Sequence, residues 1–316
     1  MYYYGGSKLS FLKDVLKKNS FIKRSFLAFQ KNITTIMVKV SPVLATKYIF
    51  KRATGKSLDL NNPKSFNEKV QWLKLYWQHP FVVKCADKYE VRSFIKERHC
   101  EEILNTLYGV YNDTSEIDWE KLPEKFVLKT TNGCGTNIIC KDKGELDKEE
   151  VFTKLNKWLK TDYSLQFAEF HYSKITPRII CEKYIETEDG LLPNDYKVFC
   201  FNGEPKFILA INERETGTHQ RYFFDLDWNP LEFEKKKDIS KSYNTPRKPN
   251  SLSQMIDSSL RLSEGFPFVR VDFYDGKNKP IFGEMTFTPV GGLATYYKDD
   301  IATMLGEWIE LPEKIL

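Results

Sequence analysis

The stretch Phe268-Val-Arg-Val-Asp-Phe-Tyr-Asp-Gly-Lys-Asn-Lys-Pro-Ile-Phe-Gly-Glu-Met-Thr286 decides the fold. Two runs rich in β-branched and aromatic residues flank a turn at Asp275-Gly276-Lys277-Asn278, which is the pattern of a β-hairpin. Side chains alternate along a strand, so Arg270 and Asp272 share one face, as do Glu284 and Thr286. A hairpin centred near Asn278 sets Asp272 opposite Glu284. Directly opposed Cβ atoms lie about 5 Å apart, and like charges there repel. Two facing carboxylates therefore call for a cation or a shared proton, and Mg2+, held by carboxylates and nucleotide phosphates, meets that need. The other reading is a hairpin whose carboxylates face water. Against it stand the apolar flanks Val269, Val271, Phe273, Ile281 and Phe282, which argue for a partly buried sheet.

Upstream, Phe126-Val-Leu-Lys-Thr-Thr131 reads as a strand with Lys129 inside it. Asn132-Gly133-Cys134-Gly135 and a second short strand, Asn137 to Cys140, follow. A lysine within an apolar strand is costly unless it meets an anion. A loop built on Gly133 and Gly135 can bring backbone N–H groups close to phosphates. The spacing is not GxxxxGK[ST], and a hairpin turn beside a snorkelling lysine explains these residues equally well. Arg178-Ile-Ile-Cys-Glu-Lys-Tyr-Ile185 is a further strand. Asp195-Tyr-Lys-Val-Phe-Cys-Phe201 is another, ended by an Asn202-Gly203 tight turn. Asp195 and Lys197 lie on one face by alternation, which is also the arrangement of an ordinary ion pair. Arg214 and Arg221 are each able to grip a phosphate or carboxylate bidentately, or to sit at the surface.

Helical periodicity surrounds this strand-rich centre. Ser65 and Glu68 frame a helix over 66–78. Further helices are expected over 87–99, 147–160, 251–264 and 298–310. Residues 8–56 alternate short apolar groups with Lys and Arg. Leu9, Leu12 and Leu16 have helical spacing, as do Ile22, Phe26 and Phe29, and Pro42 is expected to break the pattern.

The chain has 316 residues, 41% hydrophobic and 15% aromatic, enough for a large core and more than one lobe. The net charge of +5 is uneven: residues 1–60 hold 12 Lys/Arg against 2 Asp/Glu, a net of +10, and the remainder is net −5. That asymmetry suggests an anionic surface as partner, through either a solvated basic face or an amphipathic surface resting on an anionic membrane. No nucleic-acid partner is expected. The six cysteines form no CxxC pair and the four histidines do not cluster, so a zinc site is not expected. Lysines and Arg24 interrupt every apolar run near the start, and no run approaches a membrane span. The expected location is cytoplasmic, with peripheral contact at the inner face of the membrane.

Taken in order, the lysine strand with its glycine loop, the Glu-Lys-Tyr-Ile strand and the late carboxylate hairpin resemble the ATP-grasp superfamily. Within it the chain is most similar to the TupA-like group, found among enzymes of bacterial surface polysaccharides such as teichuronopeptide. Four stretches carry the likeness: Phe66-Asn-Glu-Lys-Val-Gln-Trp-Leu-Lys74, Ala86-Asp-Lys-Tyr-Glu-Val-Arg92, Asp195-Tyr-Lys-Val-Phe199 and Phe282-Gly-Glu-Met-Thr-Phe-Thr-Pro289. The resemblance implies an α+β ATP-grasp fold, with two lobes gripping ATP and a helical, basic N-terminal segment. The implied organisation is a basic segment at 1–60, a pre-grasp region at 61–125, a small lobe at 126–190 and a large lobe with the metal site at 191–316.

The resemblance also implies roles. Lys129 and Arg92 would hold phosphate under the Gly133–Gly135 loop. Glu182, Lys183, Tyr184 and Ile185 would line the adenine slot, mostly through backbone groups. Asp195 would sit near ribose or metal, with Lys197 beside it facing the phosphates. Asp272, Glu284 and Thr286 would hold Mg2+, and Arg270 would steady the transferred phosphoryl group. Thr286 departs from the Asn that many ATP-grasp enzymes carry at that position. The implied activity is an ATP- and Mg2+-dependent ligase that joins a carboxylate, glycan-linked or small, to an amine through an acylphosphate; Arg214 and Arg221, read from the residues alone, are the candidates for the substrate. A sugar kinase or a glycosyltransferase of the same pathway is the alternative. Against the latter, the one DxD triplet, Asp225-Leu-Asp227, lies in a turn-like segment.

Overall fold

The computed structural model describes residues 33–187, 192–212, 220–235, 245–276 and 279–315. The helical spacing noted between Leu9 and Phe29, and Arg214, lie outside these residues. Residues 33–40 are helical, and after Ser41 the chain re-enters a helix, α1 (Pro42–Thr54). As expected, the helical pattern breaks at Pro42: Ser41 before it is extended, at φ −149° and ψ 93°, and Pro42 starts a new helix. It opens α1 at the first helical position, where its missing N–H costs nothing, with the Ser41 hydroxyl accepting from Leu44 N.

Helix α2 (Phe66–Tyr76) has a full capping box: Ser65 accepts from Glu68 N, and the Glu68 carboxylate returns to Ser65 N. The helix expected over 87–99 is shorter. The chain forms α3 (Pro80–Ala86), turns, and resumes as α4 (Val91–Glu97). Asp87 makes that turn, because its Oδ1 accepts from Tyr89 N and Glu90 N and so competes with helical bonding.

A four-stranded antiparallel sheet follows, built from β1 (Leu107–Tyr111), β2 (Phe126–Thr130), β3 (Asn137–Cys140) and β4 (Ile179–Lys183) in the order β1-β4-β2-β3. Its first strand stands earlier in the chain than the expected start near 126. One face packs Phe126, Leu128, Ile179 and Cys181 against Val151 and Leu155 of α5 (Lys148–Leu159). Alternation then turns Lys129 and Glu182 to the opposite face.

The second sheet has six antiparallel strands in the order β10-β9-β5-β6-β7-β8. They are β5 (Asp195–Phe201), β6 (Glu204–Asn212), β7 (Gln220–Phe224), β8 (Pro230–Leu231), β9 (Phe268–Asp275) and β10 (Pro280–Thr286). Asn202 and Gly203 both take positive φ, as their two-residue turn requires. Helix α6 (Leu252–Ser263) lies across β5, β6 and β9. On the other face Phe66 of α2 inserts among Phe199, Phe201 and Phe268. That aromatic plug closes one end of the face, and Lys197, Asp272 and Glu284 occupy the end beyond it. The closing helix α7 (Asp299–Glu307) packs on α2 through Gly306.

Candidate active site

The β9–β10 hairpin pairs Glu284 with Asp272, as expected, and Thr286 with Arg270. The register is reached by way of a bulge. Near the turn, Phe282 pairs with Phe273, and an unbroken ladder would place Gly283 opposite Asp272. An extra residue at Gly283 shifts the ladder and brings Glu284 there instead. A Cβ on Gly283 would sit 3.0 Å from Asp272 O, so glycine lets the bulge lie close to its partner strand.

Asp272 is buried, and Arg270 grips both its oxygens: Nε donates to Oδ1 and Nη2 to Oδ2, each at 2.6 Å. Nη2 also lies 3.3 Å from Glu284 Oε1 and 3.0 Å from Thr286 Oγ1. Three oxygens from three side chains thus converge on one cationic nitrogen. Lys197, directly across from Asp272 on β5, donates to Asp272 Oδ2 at 2.5 Å and to Asp195 Oδ2 at 2.6 Å. Burial works to lower the Lys197 pKa, but Asp195 and Asp272 hold it above the usual lysine value. Burial likewise works to raise Glu284, yet Arg270, Lys197 and Lys88 hold its carboxyl below the usual glutamate value.

The small sheet supplies the facing wall. Lys129 Nζ donates to Glu182 Oε2 at 2.6 Å, and Arg92 reaches Glu182 Oε1 at 3.4 Å and Asn105 O at 2.8 Å. Burial opposes the Lys129 charge, while Glu182 keeps its pKa above the ordinary value. The glycine loop folds beside them, with Gly135 at φ +70°. A Cβ on Gly133 would strike the Tyr163 ring at 2.6 Å. Asn132 Nδ2 ties the loop to Trp158 O and Thr161 O. Of the residues expected at the adenine slot, Glu182 spends its side chain on Lys129 and Arg92. Lys183 already donates its N–H to Thr106 O and accepts from Asn105 Nδ2 through its carbonyl. The Tyr184 side chain is buried.

Arg221 lies in the same cross-strand row as Asp195, through Ile211 of β6. Its Nε donates to Glu234 Oε1 at 2.5 Å, and its guanidinium covers the Tyr296 ring. Asp225 accepts from the backbone of Asp227 and Asn229, so the DxD triplet is a self-bonded turn.

Several residues of this region went unassigned in the sequence. Lys88, in the Ala86–Arg92 stretch, donates to Gly133 O and so joins the Asp87 turn to the glycine loop. Burial pulls its pKa below the usual lysine value, while Glu284 acts in the opposite sense. Asn67, Gln71 and Lys74 form a polar stripe on the buried face of α2. Asn67 pairs with both backbone groups of Ala294, Gln71 donates to Gly291 O and Gly292 O, and Lys74 donates to Phe167 O at 2.6 Å. Burial takes Lys74 down to about 8. Glu169 accepts from Thr288 Oγ1, two residues beyond Thr286, and burial raises its carboxyl. The 4- and 3-residue spacing of Asn67, Gln71 and Lys74 was the legible signal, since three polar side chains on a core-facing stripe need partners.

Two antiparallel sheets that present lysines and a glycine loop on one side, and a carboxylate hairpin on the other, define an ATP-grasp protein. The chain belongs to the TupA-like ATP-grasp family, whose model matches residues 68–310. ATP is accordingly its nucleotide. Among solved structures, the chain is similar to D-alanine–D-alanine ligase from Bacillus anthracis complexed with ATP, at 14% identity over 78% of this chain and 67% of that one, TM-score 0.41. It is also similar to D-alanine–D-alanine ligase from Helicobacter pylori, at 16% identity over 79% and 70%, TM-score 0.43. A third is the ATP-grasp ligase PsnB complexed with minimal precursor, at 12% identity over 77% and 68%, TM-score 0.38. No curated protein matches the chain by sequence.

The hairpin fits a divalent cation. Asp272, Glu284 and Thr286 are hard oxygen donors that already converge on one positive nitrogen, and Mg2+ binds through one or two carboxylates completed by substrate phosphates and water. Among the described residues no group of three or more His, Cys, Asp or Glu side chains is placed to hold a metal unaided, so phosphate oxygens would complete the shell.

Proposed function

We propose that the protein is a carboxylate–amine ligase that consumes ATP and works through an acylphosphate. The observation that carries this reading is the convergence of Asp272, Glu284 and Thr286 on the Arg270 Nη2, with Lys197 in the same cluster. In it, Asp272, Glu284 and Thr286 would hold Mg2+, which supplies charge neutralisation between phosphates when bound. Lys88, Lys129 and Lys197 would bind phosphate oxygens in place of the carboxylate and carbonyl partners they hold here. Arg270 would face the charge that develops on the transferred group, fixed in place by its bidentate pair with Asp272. Gly133 and Gly135 would close the loop over the phosphates, and Glu182 to Ile185 would border the base.

A substrate carboxylate oxygen attacks the terminal phosphorus of ATP, and the bond to the bridging oxygen breaks to release ADP. The amine then attacks the acyl carbon, inorganic phosphate leaves, and an amide forms with loss of the amine proton. The two-step route is needed because a carboxylate oxygen is too poor a leaving group for direct displacement. The acid or the amine would be a unit of bacterial surface polysaccharide, with Arg221, Arg214 or both near it, and the reaction would take place on the cytoplasmic side. The four-part division of the chain at 60, 125 and 190 belongs to the same proposal. The positive charge of residues 1–60 is read as contact with an anionic surface, membrane or polymer.

The test is to supply ATP, Mg2+ and candidate acids with hydroxylamine as the amine. ADP, phosphate and a hydroxamate should appear together, and only when an acid is present. ADP with a stable phosphorylated sugar and no hydroxamate would replace this reading by a sugar kinase.

A further inference from the structure

The helical stretch from 33 to 54 has two unlike faces. Val38, Ala45 and Phe50 are buried, and Val38 and Ala45 pack with Ala168 in a small cluster bordered by Leu165 and Phe170. The opposite side is apolar too, and it is open. Ile36 is 61% exposed, Val40 79% and Leu44 61%, with Ile33 and Tyr48 also exposed. Ile33, Ile36 and Val40 stand 3 and 4 apart on the first helix, and Leu44 and Tyr48 stand 4 apart on α1, so each helix carries an exposed apolar row on its own side of the extended Ser41. Single exposed apolar side chains need no explanation, but two such rows do.

Charge says what covers the rows. Lys39, Lys47 and Lys51 are exposed beside them, and from residue 15 to residue 58 the sequence contains no Asp or Glu. A second copy of this chain docking by the same face would set lysines against lysines. An anionic bilayer accepts apolar side chains into its interface and pairs lysines with headgroups at once. No described helix is long and apolar enough to cross a membrane, so the contact is a docking one.

We infer that the two rows between Ile33 and Tyr48, rimmed by Lys39, Lys47 and Lys51, form a docking face for an anionic lipid bilayer. This rests on the reading of residues 1–60 as a contact for an anionic surface, and it commits that contact to lipid and to one face. It also gives the face a relation to the cleft. The segment beneath it, Leu165 to Phe170, carries Glu169, whose carboxylate holds Thr288 just past the metal hairpin.

The full chain is sedimented with vesicles of neutral phosphatidylcholine, and with vesicles containing a third phosphatidylglycerol, at low and moderate salt. Binding should be strong only to the anionic vesicles and should weaken as salt rises. Replacing residues of both rows, as Ile36→Ser with Val40→Ser and Leu44→Ser, should weaken that binding at least about tenfold at low salt. Lys47→Glu with Lys51→Glu should weaken it by a similar factor and flatten the salt dependence. If the wild type binds anionic vesicles and the serine variant binds them equally well, the face is wrong, while the anionic-surface reading stands. Retention on a soluble polyanion without vesicle binding would discard lipid and keep the charge. Binding to neither would sink both. A wild type that sediments as a dimer, with a monomeric serine variant, would assign the rows to a second copy and overturn the proposal.

Discussion

At the scale of single residues, the site is a set of charges that neutralise one another. Asp272 is the centre of that set, and Glu284 is its more open neighbour, with a side chain 37% exposed against 3% for Asp272. The two carboxylates should therefore behave differently when neutralised. Asp272→Asn removes a proposed metal ligand and also leaves Arg270 and Lys197 short of a buried partner, so it should lower both turnover and melting temperature. Glu284→Gln removes a ligand from a solvated position and should leave the melting temperature nearly unchanged. Each should reduce Mg2+-dependent ATP consumption by about a hundredfold or more. Circular dichroism melts and coupled ADP assays check this, and near-normal turnover in a folded variant of either kind would remove the hairpin from the metal site. That Arg270 lies with Asp272, and Glu284 with Thr286, was readable because alternation is a property of the backbone alone. The pairing of 272 with 284 is delivered by the Gly283 bulge, which was not readable, since a bulge depends on how the partner strand approaches.

At the scale of elements, α2 is the brace between the core and the loop after the metal hairpin. Its outer flank holds Phe66 in the aromatic cluster, and its polar stripe holds residues 291–294. That loop has Val290, Gly291 and Gly292 in succession at positive φ, a strained choice only for Val290, and Gln71 and Asn67 hold the residues that follow it. The start of α2 sits against α7 with no space to spare: a Cβ on Gly306 would lie 1.9 Å from Lys64 O and 2.7 Å from Ser65 C. Gly306→Ala should push α7 off the capped end of α2 and cost about 1–3 kcal/mol, as overpacking commonly does. Urea denaturation measures it, and a change within about 0.5 kcal/mol of wild type would show that the contact yields easily. The capping box was legible from Ser65 and Glu68, whereas the division between α3 and α4 was not. Asp87 reads as a helix-compatible residue until its carboxylate is seen taking the Tyr89 and Glu90 amides.

At the scale of the whole molecule, the two sheets meet around groups whose titration reports on folding. His171 is packed beside Tyr172 next to the Glu169 segment, and burial takes its pKa down to about 3. In the unfolded chain the same ring titrates near 6.5. Between those values the unfolded state binds a proton that the folded state refuses, so stability should fall as pH drops from about 6.5 toward 3. The slope from this ring is at most about 1.4 kcal/mol per pH unit, and less because the ring keeps some solvent contact. His171→Gln should flatten that part of the profile without altering stability above pH 7. Denaturant titrations at pH 5 and pH 7.5 decide it, and parallel losses in wild type and variant would place the acid sensitivity elsewhere.

The sequence alone determined the alternation that lines up Arg270 with Asp272 and Glu284 with Thr286, the glycine loop after Lys129, and the cap that starts α2. These depend on neighbours a few residues apart, where backbone geometry leaves little choice. Tertiary structure alone decided the contacts made across long gaps. It joined Lys88 to the glycine loop and gave Glu182 to Lys129 and Arg92. It also spent Arg221 on Glu234 and Tyr296, and sent Gln71 to a loop 220 residues away. Which face of a strand a side chain occupies is fixed by a period of two. What it meets there is fixed only when two sheets bury their apolar faces and the remaining charges must find one another.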